Sequence, residues 1–173
     1  MSAGLRIGQR PGWAARATAA LLLVAACIAT GAQDAQRQLE LASFPRTALE
    51  ITVGGSHSAP AQRFEVWVAD TPERAMQGLM FVRDLPATRG MVFPVTPPQI
   101  ETMWMKNTYI ELDMLFIGAD GRVTKIIERA TPLSLAILSS DTPVAAVLEL
   151  KGGEAARRGL KVGNRVSWRK PAA

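Results

Sequence analysis

Cysteine is nearly absent: the 173-residue chain has one, Cys27, and it falls in the N-terminal segment. Anything downstream of residue 32 therefore has no disulfide, no thiolate nucleophile and no cysteine metal site. Histidine is as scarce. The single His57 stands in the turn cluster Gly54-Gly55-Ser56-His57-Ser58-Ala59-Pro60, where it reads as a surface loop residue. One imidazole cannot make a histidine metal site, and no nucleophile elbow accompanies it. A phosphate-cradling glycine loop is also missing. Charge of one sign never accumulates into a block, so nothing tracks a phosphate backbone and nucleic-acid binding is not expected. No apolar run reaches the roughly 20 residues that a membrane-spanning helix needs.

What is present begins with a leader. Residues 1–16 are basic, Ala17–Ile28 (ATAALLLVAACI) is apolar, and Thr30-Gly31-Ala32 supplies small residues for cleavage. This is the pattern of an export signal over residues 1–32. A second reading ends the leader at residue 26, because Val24-Ala25-Ala26-Cys27 resembles a lipobox with Cys27 as the lipidated residue. Both readings place the protein in the periplasm or on its membrane faces, with any anchor being a lipid. Three of the 20 basic residues (Arg6, Arg10, Arg16) and no acidic residue lie in the leader. The remaining 141 residues carry 17 basic and 15 acidic side chains, a net of +2, which suits one domain with its own core.

Residues 33–47 are polar and read as a tether, followed by one globular domain over 48–170. Leu49–Val53 and Phe64–Val68 alternate apolar and polar residues and predict two half-buried strands forming a hairpin. Thr71-Pro72-Glu73 is a helix start, with Met76, Leu79 and Met80 recurring on one helical face. Strands are expected at Gly90–Pro94, Thr102–Met105, Leu112–Ile117, Val123–Glu128, Ala145–Leu150 and Arg165–Trp168. Gly118-Ala119-Asp120-Gly121 is a hairpin turn by composition. Gly153–Arg158 is a short helix closed by Gly159. Lacking a strand–helix–strand rhythm, the chain predicts a mostly-β (α+β) fold. Its form would be a compact antiparallel sheet or small barrel of about seven short strands, with one inserted helix and a short C-terminal helix.

A set of motifs lies across these elements. Gly78-Leu79-Met80, Arg83, Leu85-Pro86, Gly90-Met91, Trp104-Met105-Lys106-Asn107-Thr108, Leu112–Ile117, Pro132, Val147–Leu150 and Gly153 together resemble domain of unknown function 192. That family consists of small bacterial and archaeal proteins, many with export signals. The resemblance covers residues 48–168 and implies a small mostly-β domain, with no established activity, substrate or catalytic residue. Glu111 stands where the pattern has proline, and Asn164 where it has Gly-Asp; both are expected turn positions.

Chemistry, if any, is expected around Lys106, Asn107, Thr108 and Asp113. Asp113 sits in an otherwise apolar strand, where an ionised carboxylate needs a partner, and Lys106 is the nearest candidate in sequence. With Glu149 and Trp104 these residues form a candidate ligand pocket. In one reading, Lys106 and Asn107 hold an anionic or carbonyl ligand and Asp113 orients or acts as base. In the other, Lys106 and Asp113 are a structural ion pair. Methionines are plentiful, and Met103 and Met105 share one strand face, the only pair suited to Cu(I); core packing is the alternative for all of them. No other metal site and no cofactor is called for. The run Ala156–Val166 resembles the Gly-Leu-x-x-Gly-Asp segment of PDZ domains, but no carboxylate-binding loop precedes it. Three functions follow: a non-enzymatic envelope protein binding a small molecule or protein partner, an enzyme built on Lys106 and Asp113, or a copper handler using methionines.

Overall fold

Strict alternation in Arg46–Thr52 (β1) turns Leu49 and Ile51 to one side, and in Ala61–Val68 (β2) it turns Phe64, Val66 and Val68 to the same side. The computed structural model describes residues 38–54 and 61–169. The leader, Cys27, residues 33–37 and His57 lie outside the described residues. β1 and β2 pair antiparallel from Arg46↔Trp67 to Thr52↔Ala61. Thr71 caps the helix α1 (Pro72–Gln77), its Oγ1 accepting from the Arg74 amide at 3.3 Å. The chain then runs through β3 (Arg89–Gln99), β4 (Thr102–Met103), β5 (Leu112–Ile117), β6 (Val123–Ala130), β7 (Leu138–Ser139), β8 (Val144–Lys151), α2 (Glu154–Arg157) and β9 (Arg165–Trp168).

Seven strands form one sheet in the order β6-β5-β8-β3-β2-β1-β9, and β4 pairs with β7 in a separate ribbon. The fold is mostly β, but the sheet is mixed and does not close into a barrel. β2 and β3 are parallel, contrary to the expected all-antiparallel sheet. Residues 69–88, with α1 among them, are long enough to carry the chain back to the starting edge, which a tight turn cannot do. Among the described residues the two edges of the sheet meet at a corner. There the Val123 amide donates to the Asn164 carbonyl at 2.9 Å and the Val166 amide to the Gly121 carbonyl at 2.8 Å.

Two cores lie on the two faces of this sheet. The first gathers Leu49, Phe64, Val66, Val92, Leu115, Ile117, Leu148, Leu150 and Val166. The second gathers Trp67, Leu79, Leu85, Met91, Phe93, Met105, Met114, Phe116 and Val147 beneath α1 and the loops. Every residue of β5 is buried, as a near-continuous apolar run implies for a strand covered on both faces. Gly90 is fixed by the close approach of β3 to β8. A Cβ there would lie 2.4 Å from the Glu149 carbonyl oxygen and 2.8 Å from Leu150 Cδ2.

Three other expectations change. The compact unit begins at Leu39, so the later part of 33–47 belongs to the domain: Phe44 is 3 % exposed and sits in the second core. The helix stops at Gln77 because Gly78 takes a positive φ, and Leu79 reaches the core from a loop. Met76 is exposed on the surface while Met91, Met105 and Met114 are fully buried, so only some methionines are core.

Candidate functional site: a cleft over Glu149

Alternation along β8 decides the site. Val147 faces the second core and Leu148 the first, so Glu149 turns back toward the second. There its strand neighbours are Met91 on β3 and Met114 on β5, both fully buried. Glu149 is 4 % exposed, and its Oε2 has no hydrogen-bond partner. Taken out of water among apolar neighbours, its carboxyl is pushed up to about 8. At neutral pH it is a neutral acid, able to donate one hydrogen bond and accept others.

Glu149 lines a cleft of about 580 Å³. Its walls come from α1 and the following loop (Met76, Met80), from β3 (Phe93), from β4 and the residues after it (Met103, Trp104, Thr108), and from Ile137. Thr108 is buried, with its hydroxyl donating to the Lys106 carbonyl at 3.3 Å. The result is a mostly apolar concavity with a few fixed polar groups, the usual make-up of a small-molecule site. Among the described residues no cluster of histidine, cysteine, aspartate and glutamate could hold a metal ion.

Of the residues expected to form one pocket, Glu149, Thr108 and Trp104 do line the cleft, and Lys106, Asn107 and Asp113 do not. The Lys106–Asp113 pair does not form. Asp113 lies on the face of β5 that carries Leu115 and Ile117, whereas the segment bearing Lys106 packs through Met105 on the opposite face. Instead Asp113 accepts three backbone amides: Arg129 and Gly153 at 2.9 Å and Ala155 at 2.8 Å. It caps α2 from a distant strand, since Gly153 has no side chain to do so. Lys106 is exposed, with its Nζ 5.1 Å from the Trp104 ring centroid. Asn107 takes a positive φ in a turn, and its backbone carbonyl accepts from the Phe81 amide at 2.8 Å.

Met103 lines the cleft while Met105 is buried in the core, so that pair does not share a site. The methionines that meet are Met76, Met80 and Met103. Sequence reasoning placed the first two at helical spacing but assigned them to the core. It also passed over Ile137, an apolar residue in a loop. Asn164 closes a turn as expected, its amide donating to the Lys161 carbonyl at 3.1 Å, whereas Glu111 lies outside any turn and directly precedes β5. Glu111 pairs with Arg129 at 2.7 Å, and Asn164 accepts from the Lys161 amide at 2.7 Å.

The fold and cleft define a class: a small mixed-sheet domain with a two-faced core and a cleft on one face. The chain belongs to the domain of unknown function 192 family, described as an uncharacterised ACR, whose model matches residues 49–168. A protein from Sinorhizobium meliloti 1021, described as a candidate transcription regulator, is similar in structure. It is 38 % identical with a TM-score of 0.69, over 73 % of this chain and 95 % of its own. A protein of unknown function from Novosphingobium aromaticivorans DSM 12444 is 39 % identical with a TM-score of 0.65, over 70 % of this chain and 84 % of its own. No curated protein matches this chain.

Proposed function

We propose that this chain is an exported, non-enzymatic envelope protein whose cleft binds a small molecule. The ligand is largely apolar and presents a hydrogen-bond acceptor to the neutral carboxyl of Glu149. The observation that carries this reading is the buried, unpartnered Oε2 of Glu149 in the wall of a cleft. A buried polar atom without a partner costs about 1–3 kcal/mol, and a ligand that meets it recovers that cost. Phe93, Trp104 and Ile137 supply apolar contact around it. The leader supports the envelope setting, with release after Ala32 or lipidation at Cys27.

The Sinorhizobium relative's description raises DNA binding as an alternative. Against it, ten of the described lysines and arginines (Arg46, Arg63, Arg74, Arg89, Arg122, Lys125, Arg129, Lys151, Arg157 and Arg158) are paired with carboxylates. A phosphate-tracking surface needs basic groups free to replace counterions. A second reading has one favourable observation: three thioethers, Met76, Met80 and Met103, line the cleft, and thioethers suit Cu(I).

Native mass spectrometry of the protein purified from its own envelope tests both. The expected spectrum shows a small organic adduct that Glu149→Leu lacks and Lys106→Ala keeps, together with the true N-terminus and any lipid. A copper adduct abolished by Met76, Met80 and Met103 substitution would favour the second reading. A bare polypeptide mass at every cone voltage would sink the first.

A further inference from the structure

Among the described residues, nine large apolar side chains are exposed; Met76, Trp104 and Ile137 line the cleft, and Phe81, Ile100, Tyr109, Leu133 and Leu135 stand on the same chain segments or on segments bonded to them. The ninth, Val162, lies near the corner where the sheet edges meet. The segments carrying the eight are tied together. The Phe81 amide donates to the Asn107 carbonyl at 2.8 Å, the Leu133 amide to the Thr108 carbonyl at 3.0 Å, and the Met105 amide to the Ser134 carbonyl at 3.0 Å. The Phe81 and Tyr109 rings meet edge to face at 6.2 Å. Leu135 and Ile137 are each 66 % exposed, which leaves most of each residue in water at a standing cost. A contiguous apolar surface of this kind marks a contact with something else.

Charge says what that contact is. Arg83 and Lys106 lie within this surface, and neither has a carboxylate partner among the described residues. Arg83 lies over the Tyr109 ring at 4.8 Å and Lys106 over the Trp104 ring at 5.1 Å. An exposed Trp and Tyr, each carrying a cation and flanked by aliphatic side chains, match a membrane interface. The rings sit at headgroup depth, the aliphatic groups enter the acyl boundary, and the cations meet anionic lipid. No described helix is long and apolar enough to cross a membrane, and the contact needs none.

We infer that the rim of the cleft docks on an anionic phospholipid surface, with Leu135 and Ile137 inserted and Arg83 and Lys106 on the headgroups. This inference stands apart from the identity of any molecule in the cleft.

The test uses the full chain with Cys27→Ser, labelled with an environment-sensitive nitrobenzoxadiazole group at Leu135→Cys or, in parallel, at Val162→Cys. Vesicles of phosphatidylglycerol and phosphatidylethanolamine should raise and blue-shift emission at position 135 but not at 162. Spin-labelled lipid should quench only the former. Whatever the N-terminal segment does, each label reports its own surroundings. Arg83→Ala with Lys106→Ala should weaken the response several-fold, and Glu149→Leu should leave it intact while removing the cleft ligand. An unchanged emission at 135, or equal changes at both positions, overturns the inference. So does a change that grows with protein concentration in the absence of vesicles, which would assign the surface to a second copy.

Discussion

Glu149 and Asp113 are both buried carboxyl groups in central strands, and their surroundings make them opposites. Asp113 is given three backbone donors, so its charge is matched by fixed dipoles. Glu149 lies between Met91 and Met114 and is held neutral by burial, with a pKa of about 8. The sign of the pH dependence follows. The folded state keeps this proton between the ordinary carboxyl value of 4.5 and about 8, and the unfolded chain does not. The group's stability contribution is therefore full below the lower value and is lost as pH rises through the higher one. Urea unfolding should show a decline on the order of a few kcal/mol between about pH 5 and pH 8.5 that Glu149→Gln abolishes. The same slope in the variant would mean that other groups carry it. The neutral acid itself was not legible in the sequence: a Glu between leucines flags a buried carboxyl, but not which face of the strand it occupies.

At the scale of elements, Asp113 joins three that are far apart in the chain: β5, which carries it, the Arg129 end of β6, and the start of α2. Four residues make a helix too short to persist alone, so α2 exists because it is held there. Asp113→Asn turns one acceptor oxygen into a donor facing backbone amides and should cost about 2–4 kcal/mol in urea unfolding. Lys106→Ala should cost under about 1 kcal/mol, as for an exposed side chain, and the double mutant should be additive. A coupling well beyond that would restore the ion pair inferred from sequence. The oddity of Asp113 in an apolar strand was visible at once, and so was its need for a partner. Its partners were not, because backbone amides brought in by β6 and α2 leave no mark in residue type. Helix α1 gives the converse case: Thr71, Pro72 and Glu73 announced its start, while its end falls at Gly78, whose positive φ and close approach to the Phe93 ring disfavour a Cβ.

At the scale of the whole molecule, β3, β5 and β8 are shared by two cores, so neither core can loosen without the other. Adjacent residues test this, since Val147 belongs to the second core and Leu148 to the first, and both are fully buried. Val147→Ala and Leu148→Ala should each cost about 2–4 kcal/mol, and each should move one common transition. Near- and far-ultraviolet circular dichroism would check it; melting curves that separate in either variant would show two independent units. The sequence by itself determined the mostly-β class, the family and the strands at Leu112–Ile117 and Arg165–Trp168, because these rest on local alternation and composition. Tertiary structure alone decided that β2 and β3 run parallel and that Lys106 and Asp113 face apart. It also decided that Glu149, Trp104, Thr108 and three methionines meet around one cleft. Those relations depend on strand order and on which face each side chain takes, and both are set by how the sheet pairs and curls rather than by any neighbouring residue.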